Sequence, residues 1–238
     1  MTDGVRIAAS WRNVSATRLA TVLRAGEASV ATVEHLMSAL AALGVEGATV
    51  TLDGPEIPIM DGSAAPFFDA LAPHTVPAGA RQALKVLRPV VARRSDAFAA
   101  LLPYEGRGFD VGIDFADEAI GAQRVRHELS AEAFRREIAP ARTFGRLKDV
   151  AMMRKKGYGR GASLDNAIAV DGPRVVNEGG LRMPDEFARH KLLDAVGDLS
   201  LAQFPLIGLY RSHKAGHRLN FELLRALFAD DENFAIVG

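Results

Sequence analysis

The sequence predicts an α+β protein built as two domains joined near residue 78, and three observations carry that prediction. Strand-like runs follow one another and then give way to helical patterns, an order that fits α+β architecture better than an alternating βαβ sheet. Residues 73–80, with two prolines and Gly79, read as a linker between residues 1–78 and 79–238. The chain has 238 residues, 48% apolar and 24% charged, enough for one large domain or two small ones with a real core.

The first helix is expected over residues 32–43. Thr32 can cap it, Val33, Leu36, Met37, Leu40 and Leu43 form an apolar stripe, and Gly44 stops it. A strand over 48–52 follows, then a Pro/Gly-rich stretch over 53–63 and a short helix from Pro66. Beyond the linker, strand-like runs cover 84–91, 97–102, 109–115 and 123–129. Ser130 is placed to cap a helix, and a second helical pattern over 147–156 ends at Gly157. A strand at 167–170, a strong helix at about 185–201, a strand at 206–210 and a helix at about 219–228 complete the reading. No internal repeat is visible.

Lys plus Arg equals Asp plus Glu at 29 each, which argues against a generic nucleic-acid binder or an electrostatic membrane binder. With no cysteine there is no disulfide framework and no thiolate nucleophile, so any metal must be held by His, Asp or Glu. No run reaches the length of a membrane span, and the N-terminus lacks a secretory pattern, so a cytoplasmic protein without stable membrane insertion is expected.

The segment from His190 to Asp198 is the most informative. On a helix, His190, Asp194 and Asp198 share one face, a turn apart, with Leu192, Val196 and Leu199 elsewhere. Imidazole and carboxylate at i, i+4 can chelate an ion, and a third ligand from elsewhere leaves a position for water. A solvated polar face, with Asp194 paired to Lys191 or His190, is the competing reading. In the first helix, His35 could reach an ion while Glu34 addresses a water beside it; alternatively Glu34 only complements the helix dipole and His35 is an ordinary interfacial histidine. The His213/His217 spacing is discounted because Gly216 interrupts a helix through both. Gly157, Gly159 and Gly161 read as a flexible loop, His74 and His127 receive no role, and no GxxxxGK[ST], HExxH or GxSxG pattern occurs.

Five segments occur in order: Ala31-Thr-Val-Glu-His-Leu-Met-Ser-Ala-Leu40, Gly54-Pro-Glu-Ile-Pro-Ile-Met-Asp-Gly-Ser-Ala-Ala-Pro66, Ala141-Arg-Thr-Phe-Gly145, Arg189-His-Lys-Leu-Leu-Asp-Ala-Val-Gly-Asp-Leu199 and Lys214-Ala-Gly-His217. Together they resemble the UDP-3-O-acyl-N-acetylglucosamine deacetylases of lipid A biosynthesis, from about Thr17 to the last helix. The resemblance implies a zinc amidase (iron being the other metal to consider) with two similar α+β domains and helices sandwiched between sheets. It implies His35, His190 and Asp194 as metal ligands and Glu34 as the base. Thr143 would assist at the oxyanion, Lys191 would line the site, and His217 would be a cation oriented by Asp198. Phe144 and Lys214 would lie near the sugar or nucleotide. Residues 145–174 would form an apolar passage for the acyl chain, which Leu19 helps to line.

The implied substrate is a UDP-linked, 3-O-acylated N-acetylglucosamine, the product acetate, and the enzyme a monomer. A non-catalytic paralogue that binds the same glycolipid nucleotide is the alternative. Three departures from the family pattern stand out. The family begins about forty residues earlier, with two strands and a Gly-Val-Gly-Leu-His type motif, so the first domain is expected to be short by that much. A basic position is missing near Ala97, with Arg93 and Arg94 close by, and the C-terminal tail is short.

Overall fold

The computed structural model describes residues 4–76, 82–155, 157, 159 and 161–238. The boundary expected near residue 78 lies outside them. The first segment forms a three-stranded antiparallel sheet from β1 (Val14–Ala16), β2 (Val22–Ala25) and β3 (Ala28–Val30), followed by helices α1 (Glu34–Leu43) and α2 (Ala65–Leu71). Gly44 stops α1 as expected, in a left-handed conformation (φ 71°) that glycine adopts without a Cβ clash. Thr32 does not cap the helix. Val33 holds the cap position without a side-chain bond, and the Thr32 hydroxyl donates instead to Glu56 at 2.7 Å.

The expected strand at 48–52 has no ladder partner among the described residues, and Val50 is exposed. Its alternation is real, but a strand needs a neighbour to satisfy its backbone. An open groove of about 1270 Å³ runs beside it, lined by Leu36, Met37 and Leu40 of α1.

The second segment contributes β4 (Ala83–Val86), β5 (Val90–Arg94), β6 (Ala97–Leu102), β7 (Arg107–Asp114) and β8 (Ala122–Glu128). The single run read over 84–91 is therefore two strands. Pro89 removes a donor at the break, and the halves pair differently, β5 with β6 and β4 elsewhere. Ser130 caps α3 (Ala131–Ala133) by accepting from the Ala133 N–H, and the chain continues as a π-turn over Phe134–Ile138.

Next come β9 (Phe144–Arg146), α4 (Leu147–Lys155), β10 (Ile168–Asp171) and β11 (Arg174–Val175), a small sheet in which β9 and β10 run parallel. The chain ends with α5 (Glu186–Ser200), β12 (Leu206–His213), α6 (His217–Leu227) and β13 (Phe234–Val237). Strand β12 is central, pairing with β6 and β7 along its length and with β4 at its start; β13 closes the edge beside β4.

Helix α5 packs on β7 and β8, α6 on β5 and β6, and α1 lies against α5. The α1–α5 seam is tight because of Gly197, where a Cβ would sit 2.0 Å from the Glu34 carbonyl oxygen. Tyr210, Phe187, Leu192, Leu193 and Leu223 are fully buried around this seam, so the core lies where the helices meet the large sheet.

Candidate metal centre and active site

Helix α5 does not carry a solvated polar face. His190, Asp194 and Asp198 are all buried, as are Glu34 and His35 on the first turn of α1. Burying five titratable groups is costly unless each finds a partner, and the partners are specific.

Lys191 donates to Asp194 Oδ2 at 2.7 Å. That leaves Asp194 Oδ1 buried with no hydrogen bond, 3.4 Å from His190 Nε2 and 3.8 Å from His35 Nε2. One ligand atom from each of the three residues falls within 4.8 Å of the others. An orphaned carboxylate oxygen facing two imidazole nitrogens is a set of acceptors converging on one point, which a cation satisfies and a hydrogen bond network does not. The opposite edge of His190 is fixed by a 3.0 Å hydrogen bond between Nδ1 and the Ala141 carbonyl, which directs Nε2 toward that point.

The charges are arranged accordingly. Burial, and after it the neighbouring His190, pulls His35 down to about 3 against the opposing Asp194, and burial lowers His190 as well, so both imidazoles are neutral. Burial pushes Asp194 upward, but Lys191, His190 and His217 outweigh it, and the carboxylate is held ionised below the usual range.

A second group adjoins the first. Burial pushes Glu34 up to about 7, moderated by His217. His217 opens α6, with Gly216 in an extended cap; Nδ1 lies 2.9 Å from Asp198 Oδ2, and Nε2 lies 3.6 Å from Glu34 Oε1. Burial alone would lower this imidazole, yet Asp198 and Asp194 raise it to about 10. The nearby carboxylates therefore outweigh burial. Both groups are shifted upward, which makes the acid weaker and the cation more persistent.

The structure thus brings together Glu34, His35, His190, Lys191, Asp194, Asp198 and His217. Phe144 borders them, its ring 6.1 Å from that of His190 and 5.4 Å from Lys191 Nζ. Thr143 precedes it, anchored by its N–H to Gly62 O. Lys214 and Leu19 are not part of this group. The Lys214 ammonium pairs with Asp96 and Asp114 at 2.8 and 2.9 Å, and Leu19 is exposed. Near the missing basic position, Arg94 pairs with Glu222 and Arg93 lies over the Phe98 ring.

Sequence reasoning missed Thr21 and Asn220. The Thr21 N–H donates to Glu34 Oε2 at 3.1 Å, and its hydroxyl donates to Asp198 Oδ1 at 2.6 Å. Asn220 donates to Asp198 Oδ2 and accepts from Tyr210. Neither carries a motif; only the Ser/Thr/Asn chemistry of a buried carboxylate's neighbours could have suggested them.

The sequence matches the family described as UDP-3-O-acyl N-acetylglycosamine deacetylase over residues 1–229. This chain belongs to that family. Relatives named UDP-3-O-acyl-N-acetylglucosamine deacetylase from Brucella ovis, Brucella canis and Brucella suis are 43% identical over 238 residues, covering 99% of this chain and 83% of each relative. The family is one of metalloenzymes, and His35, His190 and Asp194 are the residues of this member that could hold its metal. No helix among the described residues is long and apolar enough to cross a membrane.

Proposed function

We propose that the protein hydrolyses the N-acetyl group of a UDP-linked 3-O-acylated N-acetylglucosamine, in the route to lipid A, using a zinc ion held by His35, His190 and Asp194. The observation that carries this reading is the orphaned Asp194 Oδ1, facing two neutral imidazoles beside a Glu34–His217 pair. Bound there, zinc supplies a Lewis acid for the acetamide carbonyl and lowers the pKa of an attacking water toward neutrality.

The remaining work falls to the chain. Glu34 Oε1 accepts a proton from the water as its oxygen adds to the carbonyl carbon, Oε2 being held by the Thr21 N–H. His217, kept cationic by Asp198, stabilises the negative charge that develops on the former carbonyl oxygen. Thr143 assists there, and Lys191 lines the site. When the C–N bond breaks, the amine leaves with a proton from Glu34 or His217, and acetate departs. Phe144 and Lys214 contribute to holding the sugar or nucleotide; residues 145–174 and Leu19 hold the acyl chain. The division into domains 1–78 and 79–238 belongs to the same reading through the linker-like run over 73–80, as do a cytoplasmic location and a monomeric state.

Metal analysis of the purified protein combined with an acetate-release assay on the acylated substrate tests the proposal. Stoichiometric zinc with acetate release supports it. Substrate binding without acetate release from the zinc-loaded protein would make it a binder instead.

A further inference from the structure

Five of the six polar backbone atoms of residues 141–143 are tied down. Ala141 N–H donates to Ile138 O, and its carbonyl meets His190 Nδ1. Arg142 N–H donates to the Glu186 carboxylate at 3.0 Å; Thr143 N–H donates to Gly62 O, and Thr143 O accepts from Ile168 N–H. Two of these ties reach α5, at Glu186 and at His190, four residues and so one turn apart on the same face.

Glu186 has no exposed surface and Arg142 is 8% exposed. The carboxylate accepts from Arg142 Nε at 2.9 Å, Arg142 Nη2 at 3.2 Å and the Arg182 N–H at 2.6 Å, besides the Arg142 N–H. Arg142 Nη2 also donates to Gly180 O. A buried two-pronged ion pair of this kind is weak evidence for stability in itself, since apolar residues of similar volume often do as well. It does fix geometry, and the geometry it fixes is that of the Ala141 carbonyl and of Thr143.

We propose that Arg142 and Glu186 are positioning residues, which hold the 141–143 segment on α5 so that the Ala141 carbonyl sets the tautomer and aim of His190 while Thr143 faces the reacting carbonyl. Neither side chain touches the proposed metal or substrate. The inference rests on the function proposed above, because it assigns the pair to a ligand of that centre. Partners of metal-bound histidines commonly govern affinity or activity by about 10–100-fold.

The decisive variant is Arg142→Met combined with Glu186→Met, which removes the ties without stranding a buried charge. Zinc affinity is read by chelator competition on metal-stripped protein, with folding checked by circular dichroism, and kcat and KM are measured separately. The expected result is a folded protein whose zinc affinity and kcat each fall about 10–100-fold while KM moves less than about threefold. Arg142→Lys, which keeps the charge but loses the fork, should lie between this and the wild type, and it carries the test if the double variant does not fold. Wild-type zinc affinity and kcat in the folded double variant, or in Arg142→Lys should that be the only folded one, would overturn the inference. His190→Ala is measured in parallel. If it too keeps wild-type zinc affinity, the metal centre itself is misassigned and this inference falls with it; if it loses zinc while the double variant does not, only this inference falls.

Discussion

Helices α4 and α5 both stand out in the sequence as helical patterns, yet they end in opposite surroundings. Helix α4 buries no residue: Leu147 and Met152 are exposed, and its acid, Asp149, is turned to Arg146 at 2.6 Å. Helix α5 is buried along almost its whole length, including Glu186, Asp194 and Asp198, with Arg189 and Lys191 half-buried. A polar residue on α4 remains in water and can change at little cost. One on α5 has lost its water and must be met by a specific partner. Chemistry that depends on shifted pKa values and an unpaired acceptor is available only in the second setting, which is where the candidate centre lies.

The largest effect is expected at the metal ligands. Asp194→Ala and His35→Ala should each lose stoichiometric zinc, measured by metal analysis after dialysis, and with it acetate release. Full zinc retention in both would remove the proposed centre. Glu34→Gln should keep the metal and lose about 10²–10⁴-fold in rate, the usual contribution of a general base; parallel loss of zinc would make Glu34 a ligand.

Gly197→Ala sharpens the contrast through packing alone. The new Cβ would meet the Glu34 carbonyl oxygen at 2.0 Å, so α1 must move away from α5. Destabilisation of about 1–3 kcal/mol in urea unfolding is expected, with a fall in kcat because Glu34 moves too. An unchanged midpoint and rate would show that the seam is looser than the geometry implies.

The pH profile should separate the two upward-shifted groups. Glu34 acts as a base only when ionised, so the rate climbs with pH through its pKa, about 7 in the metal-free site, where burial raises it. His217 acts only when protonated, so the rate declines through its pKa; burial lowers that value, but Asp198 and Asp194 bring it to about 10. A bound divalent cation lowers both, and the limbs are expected somewhat below these values. His217→Gln should erase the alkaline limb and leave the acidic one; an intact alkaline limb would assign it to another group.

On the insert the effects should be smallest. Met152→Gln is expected to change stability by less than about 0.5 kcal/mol, as for ordinary surface sites. A polar residue at Ala162 or Ala169 should slow only long-chain substrates, at about 0.8 kcal/mol for each CH₂ left unburied. Equal rates for long and short acyl chains in wild type would remove the passage from the account.

What was legible in the sequence follows the same division. Helices α1 and α5 announce themselves because apolar periodicity and the His190, Asp194, Asp198 spacing fall on one element each, and residues four apart on a helix are neighbours in space. Ser130 and Gly44 mark helix ends through local chemistry and do so in the structure. Thr21 was not legible, since its two acceptors lie 13 and 177 residues away and nothing local marks it. The split at Pro89 and the edge strand β13 depend on which strand lies alongside, and residues 48–52 show the converse, a strand pattern without a partner.

One further consequence lies in Asn220. Its amide oxygen accepts from the Tyr210 hydroxyl at 2.5 Å, and its amide nitrogen donates to Asp198 at 2.8 Å. An amide has one accepting end and one donating end, and here each is committed, so the connector has a direction: from the central strand, through the amide, to the carboxylate that grips His217. Rotating the amide end for end would set oxygen against oxygen at Asp198, which can only accept. Replacement by aspartate, whether by mutation or by slow hydrolysis of the amide, would turn this one-way coupling into a confrontation of two carboxylates. A single atom exchanged on α6 would thus loosen the grip on His217 without altering the outline of the protein.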